Sequence, residues 1–537
     1  YRATMRPLMR HRSLAFLALG GLFLAWVGSI GLAIVGVPLK MLPFSNKDRL
    51  EVRVEMPESA SLEATDAFVR DLADLLVEEP DVAFVESFTG TSSPHDFQGL
   101  VRHDFLRRGD HVGDLRIGLL PDSLREQQSH QIALRLRADI ERIASEHGGR
   151  AAIVEVPPGP PVLQTVVAEV TGPVDAEWSE LLAVGSDMFE RFEAYPGVVD
   201  VDWQVNEPQA RWTYDVDRVS SGRAGITPAE VVGTLSAALG ETPVGTVHVG
   251  GERHPMPLHL RLSEAERGDP RSLGVLPLRY GADGQVLPLG AVARLVPDVV
   301  EPAITRKDGQ RVVFVTADAV GISPADAVLG IQGGLGEAPL PEGFEASFSG
   351  EGEWKITLDV FRDLGLAFGA ALLGIYLLLV AQTGSLFLPL VMMVSIPVTA
   401  IGIFPGFWLI NKLTVGEVAG IADPTWFTAT AMIGMIALAG IVVRNSVILV
   451  DFIEVQLDEG NSLAKAVVEA GAVRLRPIML TAGTALLGVW VMTLDPVFSG
   501  LAWSFIFGIL ASTFFTLVVV PLIYYLLNQG KPQHQTA

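Results

Sequence analysis

Gly440-Ile-Val-Val-Arg444-Asn445-Ser-Val-Ile-Leu-Val-Asp451-Phe452 closes a long apolar run that carries charge where lipid disfavours it. The run belongs to 426–450; beyond a polar connector a second one, 477–494, follows Arg474-Leu-Arg476-Pro477. Asp451 stands seven residues after Arg444, so the two fall on one helical face two turns apart, and Thr481 stands in the same relation to Arg474. A guanidinium in hydrocarbon persists only where it meets the bundle interior, a water path or a carboxylate, which makes Arg444 a functional candidate. For Arg474, Arg476 and Asp451 an alternative stands beside this one: the arginines anchor the helix at the cytoplasmic side and Asp451 lies at the interface.

Outward from this stretch, 49% hydrophobic residues and a mean hydropathy of +0.38 place the chain of 537 residues in the membrane class. Scanning for long apolar runs predicts six spans, near 14–35, 364–380, 386–410, 426–450, 477–494 and 502–527. Between the first two lies a polar insert, 38–359. Arg2, Arg6, Arg10 and Arg12 precede the first span, and Lys465, Arg474 and Arg476 fall in the connector 452–476, so both segments are expected to be cytoplasmic and the insert to face outward. With basic residues before the first span and no small-residue cleavage site after it, that span reads as a retained anchor. The net charge of −22 disfavours nucleic acid and anionic ligands as partners. Without cysteine, the insert must rest on its own core, which a length of about 320 residues suffices to build.

The insert reads as strand, helix, strand twice over. Glu51–Glu55 alternates, Ser61 is placed to cap a helix to about Glu79, and 82–88 is a second strand. A strand at 114–120, a helix over 124–145 and a strand at 151–156 complete a split βαβ unit. Pro157-Pro-Gly-Pro-Pro161 then marks a boundary, after which the pattern recurs: Tyr195-Pro-Gly-Val-Val-Asp-Val occupies the place of Glu79-Pro-Asp-Val-Ala-Phe-Val. This second unit is interrupted over 207–303 by a Gly- and Pro-rich insertion with a short helix at 228–239. It resumes at 311–317, and a helix over 354–363 is expected to run into the second span.

His95, His103 and His111 lie eight apart, each near an aspartate, in the pattern of a zinc set. Pro94, Gly99 and Gly109 interrupt any regular strand there, and no metal site is expected. Ser92, Ser93 and His95 lack an elbow or an orienting third residue, so no hydrolase site is expected either. His248, His254 and His259 read as loop and strand-edge residues. Phe84, Phe88, Phe97 and Phe105 flank a Gly/Ser/Pro loop; they are expected chiefly in the core, with a pocket for greasy ligands as the second reading.

The architecture resembles the C-terminal half of a resistance-nodulation-division (RND) inner-membrane efflux subunit, an AcrB-like superfamily. The words that carry the resemblance are Gly440 to Phe452, Arg474-Leu-Arg-Pro-Ile-Met-Leu-Thr481, and Glu51-Val-Arg-Val-Glu-Met-Pro-Glu-Ser-Ala-Ser-Leu-Glu-Ala-Thr65. It implies an α-helical membrane protein of six transmembrane helices with a large α+β periplasmic domain of split βαβ (ferredoxin-like) porter subdomains. The implied layout is a cytoplasmic segment 1–13, a first transmembrane helix 14–36, a first porter subdomain 37–156, and a second in two parts, 157–206 and 304–359. A docking-type insertion occupies 207–303, a five-helix bundle 360–527 and a cytoplasmic tail 528–537.

In proton-driven members an aspartate pair on the other half works with a lysine, an arginine and a threonine, which fall here on Arg444, Arg474 and Thr481. Asn445 and Asp451 complete the implied coupling set. Arginine for lysine leaves a charge fixed at any accessible pH, so the proton would be carried by carboxylates. The resemblance further implies a secondary transporter in the bacterial inner membrane that exports amphiphiles without a cofactor. It would need an N-terminal half bearing the aspartate pair, and would form a homotrimer with a periplasmic adaptor and an outer-membrane channel. Heavy-metal export is the rival within the fold, disfavoured by the absence of cysteine and the wide spacing of Met41, Met56, Met188 and Met256. A non-transporting secretion or assembly accessory is the rival outside it.

Overall fold

A computed structural model describes residues 1–240, 243–280 and 284–529. The part of the expected tail beyond Gln529 lies outside the described residues. Six helices among these are long and apolar enough to cross a membrane: Arg12–Gly36, Glu353–Thr383, Leu388–Thr414, Ala429–Asp458, Leu463–Leu494 and Ser499–Asn528, here the first to sixth spans.

The second span begins at Glu353, because nothing in 354–363 breaks a helix, and so it stands well proud of its apolar run, in line with the expectation from sequence. The fifth departs from expectation. It starts at Leu463, whereas the apolar run opens only at Pro477, after a connector expected over 452–476. Proline inside a membrane helix is tolerated where neighbours satisfy the freed backbone groups, and the first turns of this span bury Leu463, Ala466, Val467 and Ala470. Only the short turn 459–462 therefore separates the fourth and fifth spans, and Lys465, Arg474 and Arg476 ride on helix. The third span is broken into Leu388–Met393, Ser395–Val398 and Ala400–Thr414, with Pro397 inside the middle piece, where it cannot donate to the Met393 carbonyl before the first break. Helix α1 (Arg2–Arg10) precedes the first span; Met5 and Met9 anchor it in a cluster shared with Leu463, Val467, Ile453 and Tyr524, and its arginines face outward.

In the polar insert, strands β1 (Arg49–Glu55), β2 (Val82–Thr91), β3 (Arg108–Leu119) and β4 (Arg150–Glu155) form an antiparallel sheet of order β2-β3-β1-β4. Helices α2 (Leu62–Val77) and α3 (Ser129–His147) supply Phe68, Leu72, Leu76, Ile132, Leu136 and Ile140 to a core shared with Leu50, Val52, Leu115 and Ile117. The Ser61 hydroxyl accepts from the Ala64 N–H at 3.3 Å, which caps α2.

The order recurs in β5 (Val166–Thr171), β6 (Val198–Trp203), β7 (Gln310–Ala319) and β8 (Glu345–Ser347). Strand β7 lies between β5 and β6, and β8 pairs with the other edge of β5. Helices α4 (Trp178–Glu193) and α5 (Pro324–Glu337) cover one face, and Phe192, Met188, Val313, Val315 and Ile331 lie in its core. Residues Asn206–Ala303 form a separate compact unit. Within it Gln209–Val216 pairs antiparallel with Ala293–Val300, and Pro228–Leu239 is a helix capped by Thr227.

Candidate functional site

A 3.6-residue period decides which side chains of the fourth span meet the bundle. Val442, Val443, Asn445, Ser446, Leu449 and Val450 are buried, whereas Arg444 and Asp451 are exposed on the opposite face. Neither Arg444 nor Asp451 forms a hydrogen bond or an ion pair among the described residues. On the fifth span Thr481 is exposed, its hydroxyl donating to the Ile478 carbonyl at 2.9 Å. Arg474 is half-buried. Its guanidinium lies 4.6 Å from the centroid of the Phe452 ring, the residue next to Asp451, and its Nε has no hydrogen-bond partner among the described residues. The stack joins the two spans beside their charged faces.

Asn445 is not part of this face. It is 7% exposed and points into the bundle, because consecutive helical residues diverge by about 100°. Its neighbour Ser446 donates to the buried Ser395 hydroxyl of the broken third span at 3.0 Å, a polar pair set within two apolar runs. Arg444 and Asp451 are exposed on the fourth span, and Arg474 and Thr481 stand seven residues apart on the fifth.

At the other end of the fourth span the backbone ties it to the exit of the first. Phe427 N–H donates to the Pro38 carbonyl (2.8 Å), Lys40 N–H to that of Phe427 (3.2 Å) and Ala429 N–H to that of Met41 (3.0 Å). Lys40 is buried, with its Nζ 3.2 Å from the centroid of Phe44. The Phe44 ring also stacks on His130 of α3 at 3.4 Å, and His130 Nδ1 is 2.8 Å from a Glu155 carboxylate oxygen. Burial holds the Lys40 ammonium below its ordinary pKa of 10.5, and Glu353, Glu155 and Asp318 oppose that shift. Lys40, Phe44, Arg102, Asp318 and Glu353 line a cavity of about 110 Å³ closed on one side by the proline-rich linker. Burial pushes Arg102 down to about 10. In sequence Lys40 is an ordinary flanking lysine; only the folded chain encloses it.

The aromatic expectation changes. Phe84, Phe97 and Phe105 are exposed and Phe88 is half-buried, so these residues do not form the expected core. Phe84 occupies the sheet face that α2 and α3 leave uncovered, its ring lying over Gly118, where a side chain would collide with it. His103 adopts a left-handed conformation (φ 62°) with its ring edge-on to Phe105. Among the described residues no group of three His, Cys, Asp or Glu side chains is placed to hold a metal ion.

The profile of the AcrB/AcrD/AcrF family matches residues 1–528. The multidrug resistance protein MdtC of Erwinia tasmaniensis is 24% identical over 94% of this chain and 47% of its own length. The cobalt-zinc-cadmium resistance protein CzcA of Cupriavidus metallidurans is 29% identical over 63% of this chain and 31% of its own length. The swarming motility protein SwrC of Bacillus subtilis is 27% identical over 60% and 29%, respectively. A crystal structure of a heavy metal efflux pump superposes with a TM-score of 0.79 at 21% identity, covering 98% of this chain and 51% of that one. The chain thus spans about half the length of these relatives, or less.

Proposed function

The chain belongs to the AcrB/AcrD/AcrF family, and from that premise we propose that it is the C-terminal half of a proton-driven RND efflux pump exporting amphiphilic compounds from the periplasm or inner membrane. The observation that carries the reading is the face of the fourth and fifth spans, where Arg444 and Asp451 are exposed without a partner among the described residues beside the Arg474–Phe452 stack. A membrane helix does not keep a guanidinium toward lipid at low cost, so this face packs against an N-terminal half that supplies carboxylates. Proton binding to those carboxylates would weaken their hold on Arg444 and Arg474, and release would restore it. Thr481 would offer a hydroxyl to the same exchange.

The resulting shift of the fourth span would reach the polar insert through the backbone ties at 38–41 and through the second span, which enters the insert as one continuous helix. The insert would face the periplasm, with the second-sheet unit and Asn206–Ala303 serving as porter and docking parts. Assembly as a trimer with an adaptor and an outer-membrane channel completes the proposal.

The likeness to CzcA supports a second reading, export of divalent metal. Against it stand the lack of cysteine in the sequence and the wide spacing of Met41, Met56, Met188 and Met256. The deciding experiment expresses this chain with an N-terminal half and follows efflux of a fluorescent amphiphile, with parent and Arg444→Ala, with and without a proton gradient. Export that requires both gradient and Arg444 supports the pump. Export of zinc or cobalt but not of the dye supports the metal reading, and no export under any condition supports a membrane-anchored accessory.

A further inference from the structure

Two threonines of the sixth span break a rule that the other buried hydroxyls around them obey. A hydroxyl enclosed by apolar side chains returns to a carbonyl of its own helix: Ser504 donates to Gly500 at 2.9 Å, Ser512 to Ile509 at 3.2 Å and Thr399 of the third span to Ile396 at 2.7 Å. Thr513 and Thr516 are 6% and 3% exposed, and neither hydroxyl has a hydrogen-bond partner among the described residues. Unpaired polar atoms at such depth are costly, and each calls for a ligand.

Helical spacing shows where the two hydroxyls face. Ile509, Thr513, Thr516 and Val520 share one side of the sixth span. Ile509 belongs to a cluster with Ile403, Leu438 and Val442, and Val520 to one with Met392, Ile396 and Val443, so the threonines between them face the third and fourth spans. Close contacts at glycine fix the heights. A β-carbon at Gly434 would meet Ser504 and one at Gly508 would meet Leu438, so the fourth and sixth spans run side by side in one direction; about two turns further on, Thr516 comes level with Ser446. Gly402 faces Ala511 and Gly406 faces Phe507 in the opposite sense, and about two turns before Gly402 the third span reaches Ser395 at the same level. There Ser446 donates to Ser395 at 3.0 Å, and Ser395 to the Met392 carbonyl at 2.7 Å. The next carbonyl, that of Met393, is the one to which Pro397 cannot donate. The middle piece of the third span packs against both the fourth and the sixth, so the break, the serine pair and the threonines converge.

The set consists of neutral oxygens. Each hydroxyl keeps acceptor lone pairs, neither 388–411 nor 499–528 contains an Asp, Glu, Lys, Arg or His, and Arg444 and Asp451 leave the fourth span on its other face. Hard oxygen ligands suit a hard cation, and without a carboxylate they cannot repay the hydration of a divalent one. Carbonyls freed at a helix break, joined by hydroxyls from neighbouring helices, are a recurring way to hold sodium inside a membrane. We propose that the break in the third span, with Ser395, Ser446, Thr513 and Thr516, is a binding site for a sodium ion that braces the third, fourth and sixth spans against one another. The site is separate from the Arg444 face and does not rest on the pump reading.

The test is equilibrium binding of radiolabelled sodium to the purified chain in detergent, set beside thermal melts in NaCl, KCl and choline chloride at equal ionic strength. Saturable binding is expected, together with a rise in melting temperature in NaCl that the other two salts do not give, as for a ligand held only by the folded state. Thr516→Val keeps the shape and removes the hydroxyl; it should weaken sodium by about tenfold or more and abolish the rise, whereas Thr516→Ser should keep both. Absence of saturable binding would mean that water satisfies these hydroxyls, and undiminished binding in Thr516→Val would mean that the ion sits elsewhere; either overturns the proposal. A competition on the parent needs no variant: excess unlabelled sodium should displace the label, and displacement by potassium just as readily would also overturn it. Arg444→Ala leaves these residues untouched, so it should impair export while sparing sodium binding, and failure of the pump reading and failure of this one are distinguishable.

Discussion

Gln131 of α3 donates through its side-chain amide to the Asp423 carboxylate at 3.1 Å, joining the first unit of the polar insert to the hairpin between the third and fourth spans. Removing it by Asp423→Ala should cost about 1 kcal/mol of stability, the ordinary net worth of one part-buried hydrogen bond. Export should fall further than that loss explains if the contact transmits movement. A thermal melt of the detergent-solubilised protein set beside dye efflux separates the two effects.

Replacing Arg444 tests the charged face directly. Arg444→Ala should reduce export by about tenfold or more with little change in the melt, because the side chain is exposed and unpaired among the described residues. Arg444→Lys should restore part of the rate and add a dependence on alkaline pH, since an ammonium loses its proton within reach of experiment and a guanidinium does not. Identical rates for all three proteins would remove Arg444 from the mechanism.

Lys40 should impose a pH dependence on stability. Its folded pKa lies below the unfolded 10.5, so between the two values the unfolded chain binds the extra proton. Stability contributed by this site therefore rises with pH up to about 10.5 and is least below the folded pKa. Lys40→Met has no such proton to release. The melting temperature of Lys40→Met minus that of the parent should shrink as pH is raised from 7 towards 10.5, and a constant difference would mean that Lys40 titrates normally.

The third and sixth spans touch through glycine. A β-carbon at Gly402 would strike the Phe507 carbonyl oxygen, and one at Gly406 the Phe507 ring. Small residues four apart let helix backbones approach closely. Gly406→Leu should destabilise the bundle by about 1–3 kcal/mol, as overpacking does, and should lower the detergent melting temperature. Gly369→Leu on the second span is the control, since nothing lies within 4 Å of a β-carbon there.

Phe68 is wholly buried under β1 and β3, so Phe68→Ala should cost about 3–5 kcal/mol. Loss of that size would be visible as accelerated proteolysis of the insert before the bundle is cut.

Periodicity made much of this fold legible. Alternation at 49–55, the cap at Ser61 and the repeated Pro-containing turn before β6 announced two like units, because local pattern and tertiary packing agree there. Pro477 misled, since proline's rule for helices in water is relaxed among packed membrane helices. Arg444, Asp451 and Arg474 stood out in the sequence because charge in or beside an apolar run is conspicuous. Lys40, Phe44 and His130 were not: each is unremarkable in its own segment, and their stack exists only where three distant segments converge. Phe84 and Phe97 misled in the other direction, because hydrophobicity alone does not tell which side of a sheet will receive helices.

The three backbone hydrogen bonds that tie 38–41 to 427–429 have a consequence for how such a protein can change over time. Side chains take no part in them, so substitution at these positions leaves the joint's stiffness almost as it was. Variation can then remodel the cavity beside it, and with it the compounds accepted, while the mechanical linkage between bundle and insert is inherited intact.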